Sequence, residues 1–180
     1  MTAIYHARDA DPACIAGSRI AVVGYGDAGA AWARNLRDGG YEVIVCTRPG
    51  PSAARAAIDG FTPRPLEAAV DADLLCLLVP DGVVASLPFD PAGWALTIVA
   101  SGGALATGRF TPNGDVGLLV PKAPPAEVRR RFLSGDGVCA DLGVHHDRTG
   151  RARPRLLALA HAIGALGQGA GGWLPYTLCG

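Results

Sequence analysis

A chain of 180 residues with 49% apolar and 18% charged side chains suits one soluble domain with a well-filled core. Sixteen Lys and Arg balance sixteen Asp and Glu, so the net charge of zero gives no electrostatic footprint for nucleic acid. No apolar run approaches a membrane span and no signal-like start is present, which points to a cytoplasmic protein away from membranes. The five cysteines lack C-x-x-C or Cys/His ligand spacing, so neither a zinc site, nor any other metal site, nor a disulfide framework is expected.

Residues 1–17 are a weakly patterned leader, either a helix or strand packed on the domain or a loose segment. Domain residues 18–180 then open with Ile20-Ala-Val-Val, a continuous apolar run that predicts a strand buried on both faces. Gly24, Gly26 and Gly29 complete G-x-G-x-x-G, and Asp27 to Asp38 predicts a helix stopped by Gly39-Gly40. Strand, glycine turn and helix in that order are the context a dinucleotide fingerprint needs. Gly24 permits the turn, Gly26 leaves no Cβ in the way of a pyrophosphate, and Gly29 lets helix and strand pack closely. The first N–H groups of the helix are free to meet phosphate.

Glu42 to Thr47 predicts the second strand, Arg48 to Ser52 a turn, and an Ala-rich helix follows to Ile58. Leu66 to Val70 is a short helix, and Asp73 to Val79 an apolar strand ending in Pro80-Asp81-Gly82. Trp94 to Ala100 is a further strand closed by Ser101-Gly102-Gly103. Val116 to Val120 precedes Pro121-Lys122-Ala123-Pro124-Pro125, then come a basic helix from Glu127 to Leu133 and a strand from Val138 to Val144. An amphipathic helix over Ala152 to Ala165 and a closing strand within Gly171 to Leu178 end the chain. Apolar strands alternating with helices define an α/β fold: a Rossmann-like, doubly wound, mainly parallel sheet with helices on both faces.

The end of the second strand bears on the cofactor. A carboxylate there accepts from a ribose 2′-hydroxyl, as NAD requires. Here Thr47 and Arg48 stand instead, and a guanidinium offers a 2′-phosphate a planar, permanently charged fork. Ser52 adds a hydroxyl donor nearby. The residues therefore favour NADP(H).

Ile20-Ala-Val-Val-Gly-Tyr-Gly, Asn35-Leu-Arg-Asp-Gly-Gly, Arg48-Pro-Gly, Asp59-Gly-Phe, Leu78-Val-Pro-Asp, Pro121-Lys-Ala-Pro, Val128-Arg-Arg and Val144-His-His-Asp run in one order along nearly the whole chain. Together they resemble the N-terminal NADP-binding domain of ketol-acid reductoisomerase. The resemblance implies pyrophosphate binding by the glycine loop from Tyr25 to Ala28 and 2′-phosphate binding by Arg48 and Ser52. It also places Pro80 and Asp81 near the nucleotide. Two departures stand out. Where the family has Ala-His-Gly-Phe, with an active-site histidine, this chain has Ala100-Ser101-Gly102-Gly103. The family also continues into a helical domain that binds two magnesium ions, and this chain stops at Cys179-Gly180, near where that domain is expected.

The expected activity is therefore hydride delivery from NADPH to a C=N or C=O acceptor, without metal-dependent isomerisation. An imine is preferred, because an iminium already carries the charge that invites hydride. Lys122, the only lysine in the chain, and Ser101 are the candidate catalytic groups, Lys122 having a surface-lysine alternative. The acceptor is a small molecule or is carrier-bound, and a homodimer or partner chain would complete the pocket. Two alternatives stand beside this: a non-catalytic NADP-binding subunit or sensor, and the reductase half of a split ketol-acid reductoisomerase. The Arg129-Arg130-Arg131 run reads as a solvated helix face, and His145-His146 as structural or solvated.

Overall fold

The computed structural model describes residues 3–167 and 171–173. Its frame is a sheet whose strands are β1 (Ile4–Tyr5), β2 (Ile20–Val23), β3 (Val43–Cys46), β4 (Leu74–Leu77), β5 (Leu96–Val99), β6 (Asp115–Pro121), β7 (Ala140–His146) and β8 (Gly171–Trp173). In space they run β1-β8-β7-β6-β5-β4-β2-β3. The five from one edge inward, β3-β2-β4-β5-β6, are all parallel, with Ile20 opposite both Val43 and Leu74. Every residue of β2, β4 and β5 is buried, which is why these strands read as unbroken apolar runs. Each Leu, Ile or Val so buried contributes about 1.5–3 kcal/mol of transfer free energy.

The crossovers are made by α1 (Asp27–Asp38), α2 (Pro51–Ile58), α3 (Asp81–Val84), α4 (Gly103–Ala106), α5 (Pro125–Ser134) and α6 (Ala152–Ala162). The apolar residues divide into two buried clusters. Trp32, Leu36, Val128 and Leu156 belong to one, and Leu75, Val84, Leu105 and Val116 to the other. The mainly parallel, doubly wound architecture expected from the sequence is thus the observed one.

Several elements differ in detail. Turns α3 and α4 were not expected, being four residues each and too short to show a helical period. Helix α6 stops at Ala162 and is not amphipathic: Arg155 through Ala160 and Ala162 are all buried, so it is a core helix. Gly117 faces it without a side chain, where a Cβ would lie 3.1 Å from Leu156 Cδ1. Strand β7 runs antiparallel to β6, pairing Pro121 with Ala140 and Val116 with His146. The leader is packed: β1 pairs with β8, and a turn over Pro12–Ile15 buries Ile15 completely. Of the closing strand expected within residues 171–178, the part beyond Trp173 lies outside the described residues.

Candidate functional site

The parallel strands deliver their C-terminal ends to one edge of the sheet, and the strand order reverses between β2 and β4. A crevice must open there, because the connections leave in opposite directions. It has two connected parts. The first, about 320 Å³, is lined by Gly24, Gly26, Thr47, Arg48, Ser52 and Pro80, among others. The second, about 200 Å³, lies over the ends of β4 and β5, with Ala28, Val84, Val99, Ala100, Asp81 and Ser101 on its walls. Leu78, Val79 and Pro80 border both.

The three glycines have three distinct tasks. Gly24 has φ +94°, and a Cβ there would lie 2.6 Å from both the Leu78 carbonyl oxygen and Val79 Cγ1. At Gly29 a Cβ would overlap the Gly24 carbonyl oxygen, so α1 can lie this close to the loop only without one. Gly26 is different, since a Cβ there would meet nothing within 4 Å, and the residue is exposed in the crevice. Ala30 N–H donates to Gly26 O at 2.9 Å as the first helical bond of α1, which leaves the N–H groups before it without intrahelical acceptors. The crevice therefore offers an anion both backbone donors and the positive end of a twelve-residue helix dipole.

The Tyr25 side chain is buried, at 1% exposure, its hydroxyl donates to Asp59 Oδ2 at 2.8 Å, and its ring meets Phe61 edge-on. Burial, with the Asp59 carboxylate beside it, pushes its pKa well above the ordinary value. The side chain braces the loop from behind and leaves only the main chain of Tyr25 to face a phosphate. Asp27 is exposed, and its carboxylate accepts from Arg55 Nη1 at 2.8 Å, so it too can offer only its N–H.

On the other wall, Arg48 follows β3 and is exposed. Among the described residues its guanidinium has no hydrogen-bond or ion-pair partner. Ser52 lies in the first turn of α2 on the same cleft. In the second hollow the Ser101 hydroxyl donates to Asp81 Oδ1. Sequence reasoning paired neither group with the other, because their contact joins two different crossovers.

Lys122 lies past the end of β6, lines neither part of the crevice, and pairs with Asp141. His145 and His146, on the antiparallel β7, sit opposite the start of β6 and so at the far edge from the crevice. The arginine run is not uniformly solvated. Arg129 crosses to α1, donating to Asn35 Oδ1 at 2.9 Å and to Asp38 Oδ2 at 2.6 Å. Arg130 and Arg131 do pair locally, with Glu127. Cys46 and Cys76 are buried, and loss of solvent pushes their thiols up to about 11 and about 12, which makes them inert members of the core. Among the described residues no group of three or more His, Cys, Asp and Glu is placed to hold a metal ion.

A parallel sheet with a glycine fingerprint at its topological switch point defines the nicotinamide dinucleotide-binding Rossmann domains. Residues 14–169 match the family of the acetohydroxy acid isomeroreductase NADPH-binding domain, and to that family the chain belongs. It is similar to the ketol-acid reductoisomerase (NADP(+)) of Caldivirga maquilingensis, with 42% identity over 172 residues, covering 91% of this chain and 52% of the relative. The structure of an NADH-preferring ketol-acid reductoisomerase from an uncultured archean superposes with a TM-score of 0.88 at 29% identity, over 98% of this chain and 56% of the other. A semialdehyde dehydrogenase NAD-binding protein from Cupriavidus necator, solved with calcium and NAD, shares the fold alone. Its TM-score is 0.72 at 20% identity, over 89% of this chain and 63% of the other. The chain thus spans about half the length of the curated relative it matches. It is an NADPH-binding domain of oxidoreductase type, as the glycine loop and Arg48 led one to expect.

Proposed function

We propose that this chain binds NADPH across both parts of the crevice and delivers hydride to a C=N or C=O acceptor seated over the second part, an iminium being preferred. The observation that carries this is the crevice itself: free N–H groups behind Gly26, an Arg48 guanidinium unpartnered among the described residues at one end and the Asp81–Ser101 pair at the other. The residues fit the nucleotide. Gly26 leaves open the volume a pyrophosphate needs, and Arg48 with Ser52 supplies charge and a hydroxyl where a 2′-phosphate would lie. When bound, NADPH supplies the hydride.

The chain's own residues bind and orient. The main chain from Tyr25 to Ala28 holds the pyrophosphate, and Pro80 and Val79 form the shoulder between the two parts. The apolar walls Val84, Val99 and Ala100 exclude water from one side of the second hollow. Asp81 and Ser101 are the polar groups within reach of an acceptor there. Lys122 pairs with Asp141 and is not among the residues that line the hollow. The hollow is open on its outer side, so a second copy, a partner chain or a carrier holding the substrate completes it. We place the protein in the cytoplasm, where NADPH is available; no helix among the described residues is long and apolar enough to cross a membrane.

A second reading, the reductase half of a ketol-acid reductoisomerase whose metal-binding half is another polypeptide, draws on the identity to a relative about twice as long. One assay separates the two. NADPH oxidation by the chain alone with a panel of cyclic imines and 2-keto acids is expected to show turnover with an imine. Turnover that appears only with magnesium and a second protein transfers the assignment to the second reading. No turnover under either condition leaves a nucleotide-binding subunit and refutes both.

A further inference from the structure

Resting on the reading of the crevice as a nicotinamide-nucleotide site, the second hollow says more about that site. Its lining is apolar at Leu77, Leu78, Val79, Val84 and Val99, and among the described residues Asp81 is the one charged residue on it. The carboxylate of Asp81, an exposed residue, has a neighbour on each oxygen. Ser101 donates to Oδ1, and Oδ2 occupies the space where a Cβ on Gly103 would stand. Serine and glycine from the turn after β5 thus seat a carboxylate that projects from the turn after β4.

The two redox forms of a nicotinamide differ by one positive charge on the ring. The oxidised ring is a cation and the reduced ring is neutral. A fixed anion beside it therefore attracts one form and is nearly indifferent to the other, and more so as the ring displaces water from the hollow. Hydride leaves with its bonding electron pair, the acceptor carbon gains it, and the positive charge appears on the ring. We infer that Asp81, positioned by Ser101, stabilises the cationic ring left after hydride departure and so poises the bound nucleotide to give hydride rather than to take it. In this role Ser101 acts through Asp81 and is a positioning residue.

A thermodynamic cycle ties the effect to binding. The ratio of the dissociation constants for NADP+ and NADPH sets how far the bound couple moves from the free one, about 30 mV for each tenfold in a two-electron couple. Calorimetric titration of the whole chain with each nucleotide, for the wild type and the variants D81N, S101A and S101T, tests this. D81N is expected to weaken NADP+ about tenfold while NADPH changes less than twofold. S101A is expected to shift the same way by a smaller factor, and S101T to restore the wild-type ratio. Raising the salt concentration should narrow the wild-type ratio toward that of D81N. Equal weakening of both nucleotides by D81N, or an unchanged ratio in D81N and S101A, overturns the inference while leaving the nucleotide site intact. If the wild type binds neither nucleotide, the underlying reading fails with it.

Discussion

Arg48 and Tyr25 lie on facing walls of one cleft and are used in opposite ways. Arg48 is charged, exposed and, among the described residues, without a partner, whereas Tyr25 is buried against Asp59 and Phe61. The place of the arginine on the cleft was legible in the sequence, because the residue after the second strand lies at the C-terminal edge of the sheet. The tyrosine was not. Which way a loop side chain turns depends on a partner, and this one lies 34 residues away. Replacing Tyr25 with Phe is therefore expected to leave NADPH affinity within twofold and to lower unfolding stability by about 1 kcal/mol, the worth of one hydrogen bond. A large loss of affinity with unchanged stability would restore Tyr25 to the phosphate site. Lys122 follows the same logic in reverse: a lone lysine invites a chemical role, yet its side chain is paired with Asp141. Ser101 drew attention as a departure from a family pattern, and only the structure shows that its hydroxyl serves a carboxylate.

Among the elements, the glycine loop and α1 separate binding from folding within six residues. A Gly26→Val chain is expected to melt close to the wild type and to lose NADPH binding, since its side chain enters open cleft space. Gly29→Val is expected to lose both, because its Cβ collides with the Gly24 carbonyl. Thermal melts and titrations on the same samples distinguish the two, and equal melting losses would refute the division. The contact between α1 and α5 was beyond sequence reasoning, since a basic run looks the same whether solvated or bridging. Arg129 satisfies Asn35, which is fully buried, and lies against Asp38. Arg129→Met is expected to cost about 1–3 kcal/mol, largely from the unpaired buried amide oxygen. The Arg129 guanidinium also holds the Asp38 carboxyl below its ordinary value. Stability from that pair is complete above the unfolded carboxyl range and is lost as pH falls below about 4. The variant should therefore show a shallower acid limb in denaturation followed against pH, and an unchanged limb would count against the pair.

For the whole molecule, the five parallel strands were legible as apolar runs broken by glycine and proline, and their order then fixes where a ligand can sit. What the sequence withheld was the direction of β7, which decides that His145 and His146 face away from the crevice. It also withheld the buried network under the opposite edge. There Asp115, fully buried, accepts from the Thr149 backbone N–H and hydroxyl and lies 3.8 Å from Arg155. Arg155 in turn reaches the carbonyls of Trp94 and Asp73. This cluster joins β4, β5, β6 and α6 far from the nucleotide. Arg155→Met is expected to destabilise the fold by about 3–5 kcal/mol, the usual consequence of stripping a buried charge of its partner, without altering the relative affinities for NADPH and NADH in whatever fraction remains folded. The two ends of the sheet are thus divided between holding the fold and holding the ligand.

The central claim is that this chain grips the phosphorylated nicotinamide dinucleotide in the crevice over the ends of β2, β3 and β4. Calorimetric titration of the wild type and an Arg48→Ala variant with NADPH and with NADH tests it most directly. One NADPH per chain is expected, with the variant losing about tenfold to a hundredfold for NADPH, the worth of a charge-assisted hydrogen bond, and little for NADH. Absence of heat with NADPH in the wild type, or equal losses for both nucleotides in the variant, would contradict it.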